Sequence, residues 1–232
     1  MSLPETIKHA LDEIRAFVEA VNWDEISDRR LEILKVFLQL AAAQGYSAVT
    51  MRSLAAKLKL KAPSIYSHFP DGKEEIIAHS LRWQASVFGR EVLRGTAPAR
   101  DVTEFLDALT RTHCAMNIQN RENSLWDMIV ASDRVGKFLP IELRDEMHDW
   151  ITLCTKLYMV AAVELGVSEA DLKARQVMTA IDGVHGWATW DGSPAELGRI
   201  LGEATRLCCT ILGVPARTSQ SRQILASRDA QS

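Results

Sequence analysis

Apolar residues recur at intervals of three and four along most of the chain, which is the spacing of one buried face of an α-helix. A clear case is the stripe of Leu31, Leu34, Phe37, Leu38 and Ala41. No stretch shows the strict alternation of apolar and polar residues that a half-buried strand requires. The pattern therefore predicts an all-α protein with about nine to ten helices.

Capping residues, proline and glycine predict where these helices begin and end. An extra amphipathic helix is expected over residues 4–20, and Asp28 and Thr50 are expected to cap the two helices that follow it. Asp71 with Glu74 forms a candidate capping box for the helix predicted from residue 72. The later helices are predicted over residues 72–94, 101–119, 122–134, 140–165, 168–190 and 193–213.

Residues 50–69 indicate two short helices separated by a tight turn. Pro63 fits the first turn of the second helix, because a proline there gives up no hydrogen bond. Ile65 and Phe69 lie four residues apart and share a buried face, which leaves polar side chains facing outward. Together with the preceding helix, this stretch predicts a three-helix unit with a helix-turn-helix at residues 28–69.

At these residues the sequence resembles the TetR family of bacterial transcriptional regulators. The segments that carry the resemblance are Gly45-Tyr46, Thr50-Met51-Arg52-Ser53-Leu54-Ala55, Ser64-Ile65-Tyr66-Ser67-His68-Phe69 and Lys73-Glu74-Glu75-Ile76. They cover about the first third of the chain. Lys59 departs from the family pattern, which usually has glycine in this turn, and Lys61 stands where the family often has a serine cap. The resemblance implies a DNA-binding regulator, most often a repressor that a small-molecule effector releases from its operator.

The charge distribution supports a DNA-binding role for the same segment. Residues 29–73 hold eight Lys or Arg against two acidic residues, a net charge of +6, whereas the whole chain carries −3. A basic segment on an otherwise acidic protein directs a polyanion such as DNA to one end of the molecule.

The resemblance and the chemistry of the side chains together suggest DNA contacts. Thr50, Tyr66 and Lys73 are expected at phosphates, where a helix start, a phenol and an ammonium suit anionic oxygens. Hydroxyl, imidazole and guanidinium groups can instead donate to base edges in the major groove. The full predicted DNA-binding set is Thr50, Arg52, Lys61, Ala62, Ser64, Ile65, Tyr66, His68 and Lys73.

The middle helices are expected to enclose an effector pocket, because they carry aromatic and methionine side chains suited to an adaptable apolar lining. His113 and Asp182 would supply polar anchors. The predicted lining is Phe105, His113, Met116, Trp126, Met128, Met147, Trp150, Tyr158 and Asp182.

Small residues near the carboxyl end would allow two helices to approach closely, which suits pairing between subunits. The predicted positions are Gly183, Gly186, Gly198, Gly202 and Thr205. From these residues alone, close packing within one subunit is an equal alternative. The resemblance favours a homodimer, because the last two helices of each subunit would form a four-helix bundle and two recognition helices would read a near-palindromic site.

The predicted organisation has four parts. Residues 1–27 form the extra amino-terminal segment, 28–76 the DNA-binding domain, 77–214 the effector-binding and dimerisation domain, and 215–232 a mobile tail. We expect the extra helix to cover the base of the DNA-binding domain.

Composition sets the remaining limits. The chain of 232 residues is 47% hydrophobic and 25% charged, without a secretory signal or an apolar run long enough to span a membrane. The four cysteines lie inside helical patterns, which indicates reduced thiols in a cytoplasmic protein. No cofactor is predicted.

Two rival functions remain open. Asp145 with His148, and Asp182 with His185, are spaced to share helix faces, as in a helical metal-dependent enzyme. A small-molecule binder without DNA-binding activity is the other alternative. No Ser-His-Asp order, phosphate-binding glycine loop or cysteine ligand set indicates an enzyme of another class.

Overall fold

The computed structural model describes residues 2–216, apart from the side chain of Asp24, so the tail predicted at residues 215–232 lies outside the described residues from position 217 onward. Within this range the chain forms ten α-helices and no strand, as the periodicity predicted. They are α1 Glu5–Glu19, α2 Asp28–Gln44, α3 Met51–Lys57, α4 Ala62–Tyr66, α5 Lys73–Thr96, α6 Val102–Gln119, α7 Arg121–Gly136, α8 Ile141–Glu164, α9 Ala170–Asp182 and α10 Pro194–Leu212.

Helices α2, α3 and α4 form the predicted helix-turn-helix unit around side chains that are fully buried, including Leu34, Leu54 and Phe69. The predicted cap of α2 is wrong by one residue. Ser27 has the extended backbone of a cap and its hydroxyl accepts the Arg30 N–H at 3.3 Å, whereas Asp28 is already helical. The cap of α3 by Thr50 is confirmed.

Helix α5 is 24 residues long, about 36 Å at 1.5 Å per residue, and joins the helix-turn-helix to the rest of the molecule. The capping box predicted from Asp71 and Glu74 does not form. Gly72 is the capping residue, with a φ of 71°, and the Glu75 carboxylate accepts the Asp71 N–H at 3.0 Å. The helix crosses the predicted boundary at residues 76–77 without a break.

Helices α5 to α10 pack together as the second part of the fold, with α8 against α9 and α10 against both α6 and α9. Ser193 caps α10 as predicted, and its hydroxyl accepts the Glu196 N–H at 3.1 Å. The helix predicted to reach Trp190 instead ends at Asp182, where Gly183 caps it and a 3₁₀ turn, Val184–Gly186, follows; glycine has a low helix propensity.

The extra helix α1 packs against α5 and α8, and not at the base of the DNA-binding domain, so that expectation is wrong. The close approach depends on Gly89 in α5. A Cβ at this position would lie 2.6 Å from Val18 Cγ2 and 3.0 Å from Trp150 Cη2. Phe17 of α1 also stacks on Trp150, with ring centroids 4.4 Å apart.

The four cysteines are buried and unbridged, in agreement with the prediction. Burial raises the pKa of Cys114 to about 11 and that of Cys208 to about 12. These thiols therefore stay protonated at neutral pH. In the described part of the chain, no helix combines the length and the apolar character needed to cross a bilayer.

Candidate DNA-binding surface and ligand cavity

The turn of the helix-turn-helix is built around Lys59, which has a φ of 56°. Two hydrogen bonds close the end of α3: Lys59 N–H donates to the Ala56 carbonyl at 3.2 Å, and Leu60 N–H donates to the Ala55 carbonyl at 2.8 Å. This pairing is the helix stop that glycine normally makes. The turn thus keeps the expected backbone although its left-handed residue carries a side chain.

Four basic side chains lie on α3 and on the turn that follows it, and they are defined here as the basic turn: Arg52, Lys57, Lys59 and Lys61. All four are exposed, and among the described residues none has a carboxylate within ion-pair distance. Elsewhere several arginines are paired, for example Arg82 with Glu146. The basic turn therefore presents a positive surface that the protein itself does not neutralise.

Polar side chains of the recognition helix α4 and of the residues just after it face solvent wholly or in part. Ser64 and Tyr66 are exposed, and His68 is half-buried. The Tyr66 ring lies against Gly72, with Cε1 3.3 Å from the place where a Cβ would stand, and the residue is 46% exposed. Ile65 is completely buried, so its place in the predicted DNA-binding set is corrected: it holds α4 against the core.

Thr50 and Lys73 have partners within the protein. The Thr50 hydroxyl accepts the Ser53 N–H at 3.0 Å and so caps α3. The Lys73 ammonium donates to the Tyr46 carbonyl at 3.2 Å and lies 4.2 Å from the centre of the Tyr46 ring. Both groups stand at helix starts, where the free N–H groups and the local dipole attract anions. Arg52, Lys61 and Ala62 lie between them on the same unit, the first two exposed and Ala62 half-buried.

A cavity of about 750 Å³ lies in the second part of the fold, between α5, α7, α8 and α9. Its volume falls in the range of sites for drug-sized ligands. Aromatic side chains, referred to below as the aromatic wall, line it together with polar groups. The main lining side chains are Gln84, Phe88, His113, Asn123, Trp126, Asp127, Trp150, Cys154, Met178 and Asp182.

Four of the nine predicted lining residues reach this cavity: His113, Trp126, Trp150 and Asp182. His113 Nε2 is 2.9 Å from Asp182 Oδ1, and His113 Nδ1 is 3.2 Å from the Tyr158 hydroxyl. The two predicted polar anchors are therefore partners of each other.

The other five predicted lining residues are corrected, because helical spacing does not distinguish a cavity wall from the core. Phe105 and Tyr158 are buried in the core, Met116 is half-buried, Met147 borders a smaller cavity and Met128 is exposed.

Several lining residues were missed, notably Gln84 and Asp127. Gln84 lies in the middle of α5 and is buried, whereas glutamine is usually exposed. Burial raises the pKa of Asp127 well above its usual value, and the nearby Asp182 charge raises it further. The signal available from sequence was a polar residue on the apolar face of a helix.

The turn between α7 and α8 connects the cavity wall to the DNA-binding domain. Burial alone would raise the pKa of Asp133, but hydrogen bonds from Arg144 Nε, at 2.6 Å, and from the Leu139 N–H, at 2.7 Å, lower it. The same turn carries Phe138, which stacks on Tyr46 of the helix-turn-helix unit with ring centroids 5.3 Å apart.

The predicted dimerisation residues divide into three groups. Gly198 is exposed and Gly202 half-buried on the outer side of α10, and neither has a neighbour closer than 3.8 Å to the position of an added Cβ. Gly183 and Gly186 lie beyond the end of α9, so they do not form a helix-pairing face. Thr205 is buried and donates to Asp107 within the subunit, at 2.9 Å, so it has an intrasubunit role.

The pairs that suggested a metal site do not converge. Asp182 contacts His113, whereas His185 Nε2 lies 3.0 Å from the Asn117 carbonyl oxygen. No group of three or more His, Cys, Asp or Glu side chains in the described residues could hold a metal ion. The metal-dependent rival therefore has no support in the geometry.

Comparison with known proteins gives one family match and a set of structural relatives. Residues 33–79 match the family model of bacterial regulatory proteins, tetR family. No curated protein sequence matches the chain.

The fold is similar to that of a bacterial regulatory protein in the tetR family from Rhodococcus RHA1, with a TM-score of 0.68 and 16% identity over 82% of this chain and 100% of that one. A transcriptional regulator from Saccharomonospora viridis in complex with choline is similar with a TM-score of 0.61 and 20% identity, over 78% of this chain and 96% of that one. AibR in complex with isovaleryl coenzyme A and operator DNA is similar with a TM-score of 0.64 and 17% identity, over 80% of this chain and 98% of that one.

Proposed function

We propose, on the premise that residues 33–79 belong to the tetR family of bacterial regulatory proteins, that the chain is a DNA-binding transcriptional regulator that responds to a small-molecule effector. The observation that carries the proposal is the basic turn. Four exposed cationic side chains without carboxylate partners flank a helix-turn-helix, and they offer the charge that a phosphate backbone would neutralise.

Phosphate contacts would position the protein and base contacts would give specificity. We assign Tyr66, Lys73 and the start of α3 to phosphates, because Lys73 and the start of α3 offer the free N–H groups of a helix start and the exposed Tyr66 lies against Gly72, the cap of α5. Ser64 and His68 are the candidates for base edges. Arg52 and Lys61 can reach either.

The effector would bind in the 750 Å³ cavity. Helix α5 contributes Gln84 and Phe88 to its wall and begins in the DNA-binding domain. Helix α7 contributes Trp126, whose indole N–H donates to the Leu81 carbonyl of α5 at 3.1 Å. A ligand that moves either helix would change the position of the recognition helix, provided it binds the released state better than the DNA-bound state.

A homodimer would place two recognition helices on successive major grooves. The outer side of α10 is the proposed contact, because Gly198 and Gly202 leave space there for a partner helix.

Structural relatives support the proposed DNA binding and the proposed response to a small molecule. AibR was solved with isovaleryl coenzyme A and operator DNA, and the Saccharomonospora viridis regulator was solved with choline.

The salt dependence of binding to duplex DNA tests the role of the basic turn. Lys61→Ala should weaken binding and reduce the slope of log affinity against log salt by about 0.9. Arg100→Ala removes an exposed charge just beyond the far end of α5 and serves as the matched control. Equal slopes for the two variants would contradict the proposal.

A further inference from the structure

Three side-chain amides form a chain of hydrogen bonds from α9 to α5. Asn117 Nδ2 donates to the Ile181 carbonyl at 3.2 Å, Asn123 Nδ2 donates to Asn117 Oδ1, and Gln84 Nε2 donates to Asn123 Oδ1 at 3.1 Å. A backbone carbonyl can only accept, so Asn117 must turn its NH₂ group toward it. This anchor sets the orientation of all three amides.

The chain of amides ends at Gln84 Oε1, which has no hydrogen-bond partner although the residue is only 1% exposed. Gln84 lines the cavity, as does Asn123. A buried carbonyl oxygen without a donor costs about 1–3 kcal/mol. The orientation of the amides therefore leaves an acceptor at the cavity wall that a bound N–H or O–H group would satisfy.

Three carboxyl groups border the same cavity, those of Asp127, Asp171 and Asp182. Asp182 is hydrogen-bonded to His113, and Asp127 has no hydrogen bond or ion pair among the described residues. Two cationic side chains of the lining already have carboxylate partners: Lys156 pairs with Glu13 at 2.7 Å, and Arg175 pairs with Asp171. Arg134 is exposed and His148 completes the basic groups of the lining.

The aromatic wall complements these acceptors. Phe88, Trp126 and Trp150 line the cavity, and ring faces attract cations as well as apolar groups. The cavity thus combines three carboxyl groups, an unpaired amide oxygen and aromatic surface.

We propose that the cavity binds an amine: a ligand with a protonated N–H group directed to Asp127 and Gln84 and an apolar body against the aromatic wall. This inference rests on the proposed function only in assigning the cavity to the effector. A carboxylate ligand bound through Arg134 or His148 is the outcome that would contradict it.

Calorimetry on the full-length protein without DNA tests the ligand class with three probes of the same ring system. They are 1-naphthylmethylamine, its trimethylammonium derivative and 1-naphthaleneacetate, which present a cation with N–H donors, a cation without them and an anion. The amine should bind at least about 10-fold more tightly than the carboxylate, because charged hydrogen bonds are the strong ones. The trimethylammonium compound should lie between them.

Asp127→Asn provides the second readout. It should reduce the affinity for the amine by about 10-fold and leave the affinity for the carboxylate equal or higher. Asp149→Asn makes the same substitution at an exposed position of α8 and should change neither affinity. Equal affinity for all three probes, tighter binding of the carboxylate, or an unchanged amine affinity in Asp127→Asn would overturn the proposal.

The calorimetry is independent of DNA. If the amine binds but no duplex does, the ligand class stands and the proposed regulatory function fails. If duplex DNA binds but the amine does not, the proposed regulatory function stands and the proposed ligand class fails.

Discussion

Replacing Lys59 with glycine should make the protein more stable and a weaker DNA binder at the same time. Lys59 has a φ of 56°, and the helix stop that it forms is the one glycine adopts most readily. A non-glycine residue in this conformation costs roughly 1–2 kcal/mol. The greater backbone freedom of glycine in the unfolded chain offsets about 0.5–1 kcal/mol of that.

The expected net gain is therefore about 0.5–1 kcal/mol in the free energy of unfolding. For a chain of this size, 1 kcal/mol corresponds to roughly 2–4 °C in the melting temperature. DNA binding should change in the opposite direction. The Lys59 side chain is exposed in the basic turn, and loss of one phosphate contact lowers the salt slope by about 0.9 without changing the preferred sequence.

Urea unfolding at fixed protein concentration and fluorescence anisotropy with labelled duplexes measure the two effects. Lys137→Gly is the matched control, because Lys137 is also an exposed lysine with a left-handed backbone, at φ 48°, but lies in the turn between α7 and α8. It should show the same gain in stability with unchanged DNA affinity. A loss of stability in Lys59→Gly, or equal DNA affinity in the two variants, would refute the reasoning.

Three further predictions concern the second part of the fold. The raised pKa of Asp127 means that the folded state holds this proton more strongly than the unfolded state. The free energy of unfolding therefore falls as the pH rises from the pKa of Asp127 in the unfolded state through its pKa in the folded state. Asp127→Asn should therefore raise the melting temperature at pH 8 but not at pH 4, and an equal change at both would contradict the assignment. Gly89→Ala should cost about 1–2 kcal/mol in urea unfolding, since the clash with Val18 outweighs the better helix propensity of alanine; unchanged or increased stability would show that α1 does not pack as described. A Cβ added at Gly198 meets no atom within 4 Å in one subunit, so Gly198→Leu should keep the helical circular dichroism while sedimentation shows dissociation to monomers; a persistent dimer would exclude this face.

Local signals in the sequence predicted most of the fold. Thr50, Pro63, Ser193 and Gly213 act through their own backbone or a neighbour within a few residues, so their helix ends were predicted correctly. The cap of α5 was predicted wrongly, because Gly72 and Glu75 take the place of the box suggested by Asp71 and Glu74.

The cavity was harder to predict, because it depends on contacts between distant helices. Helical spacing identified an apolar face but not which side chains border empty space, so Phe105 and Trp126 looked alike. Gln84 and Asp127 acquire their roles from partners 39 and 55 positions away in sequence, Asn123 and Asp182. Nothing within their own helices indicates those partners.

Selection of bound sequences from random duplex DNA, with the recovered sites tested again across a salt series, measures the central claim most directly. We predict a near-palindromic site with half-sites about one helical turn apart, and affinity that falls steeply as salt increases. Recovery of no common sequence at low salt would contradict a sequence-specific regulator and leave the chain as a small-molecule binder.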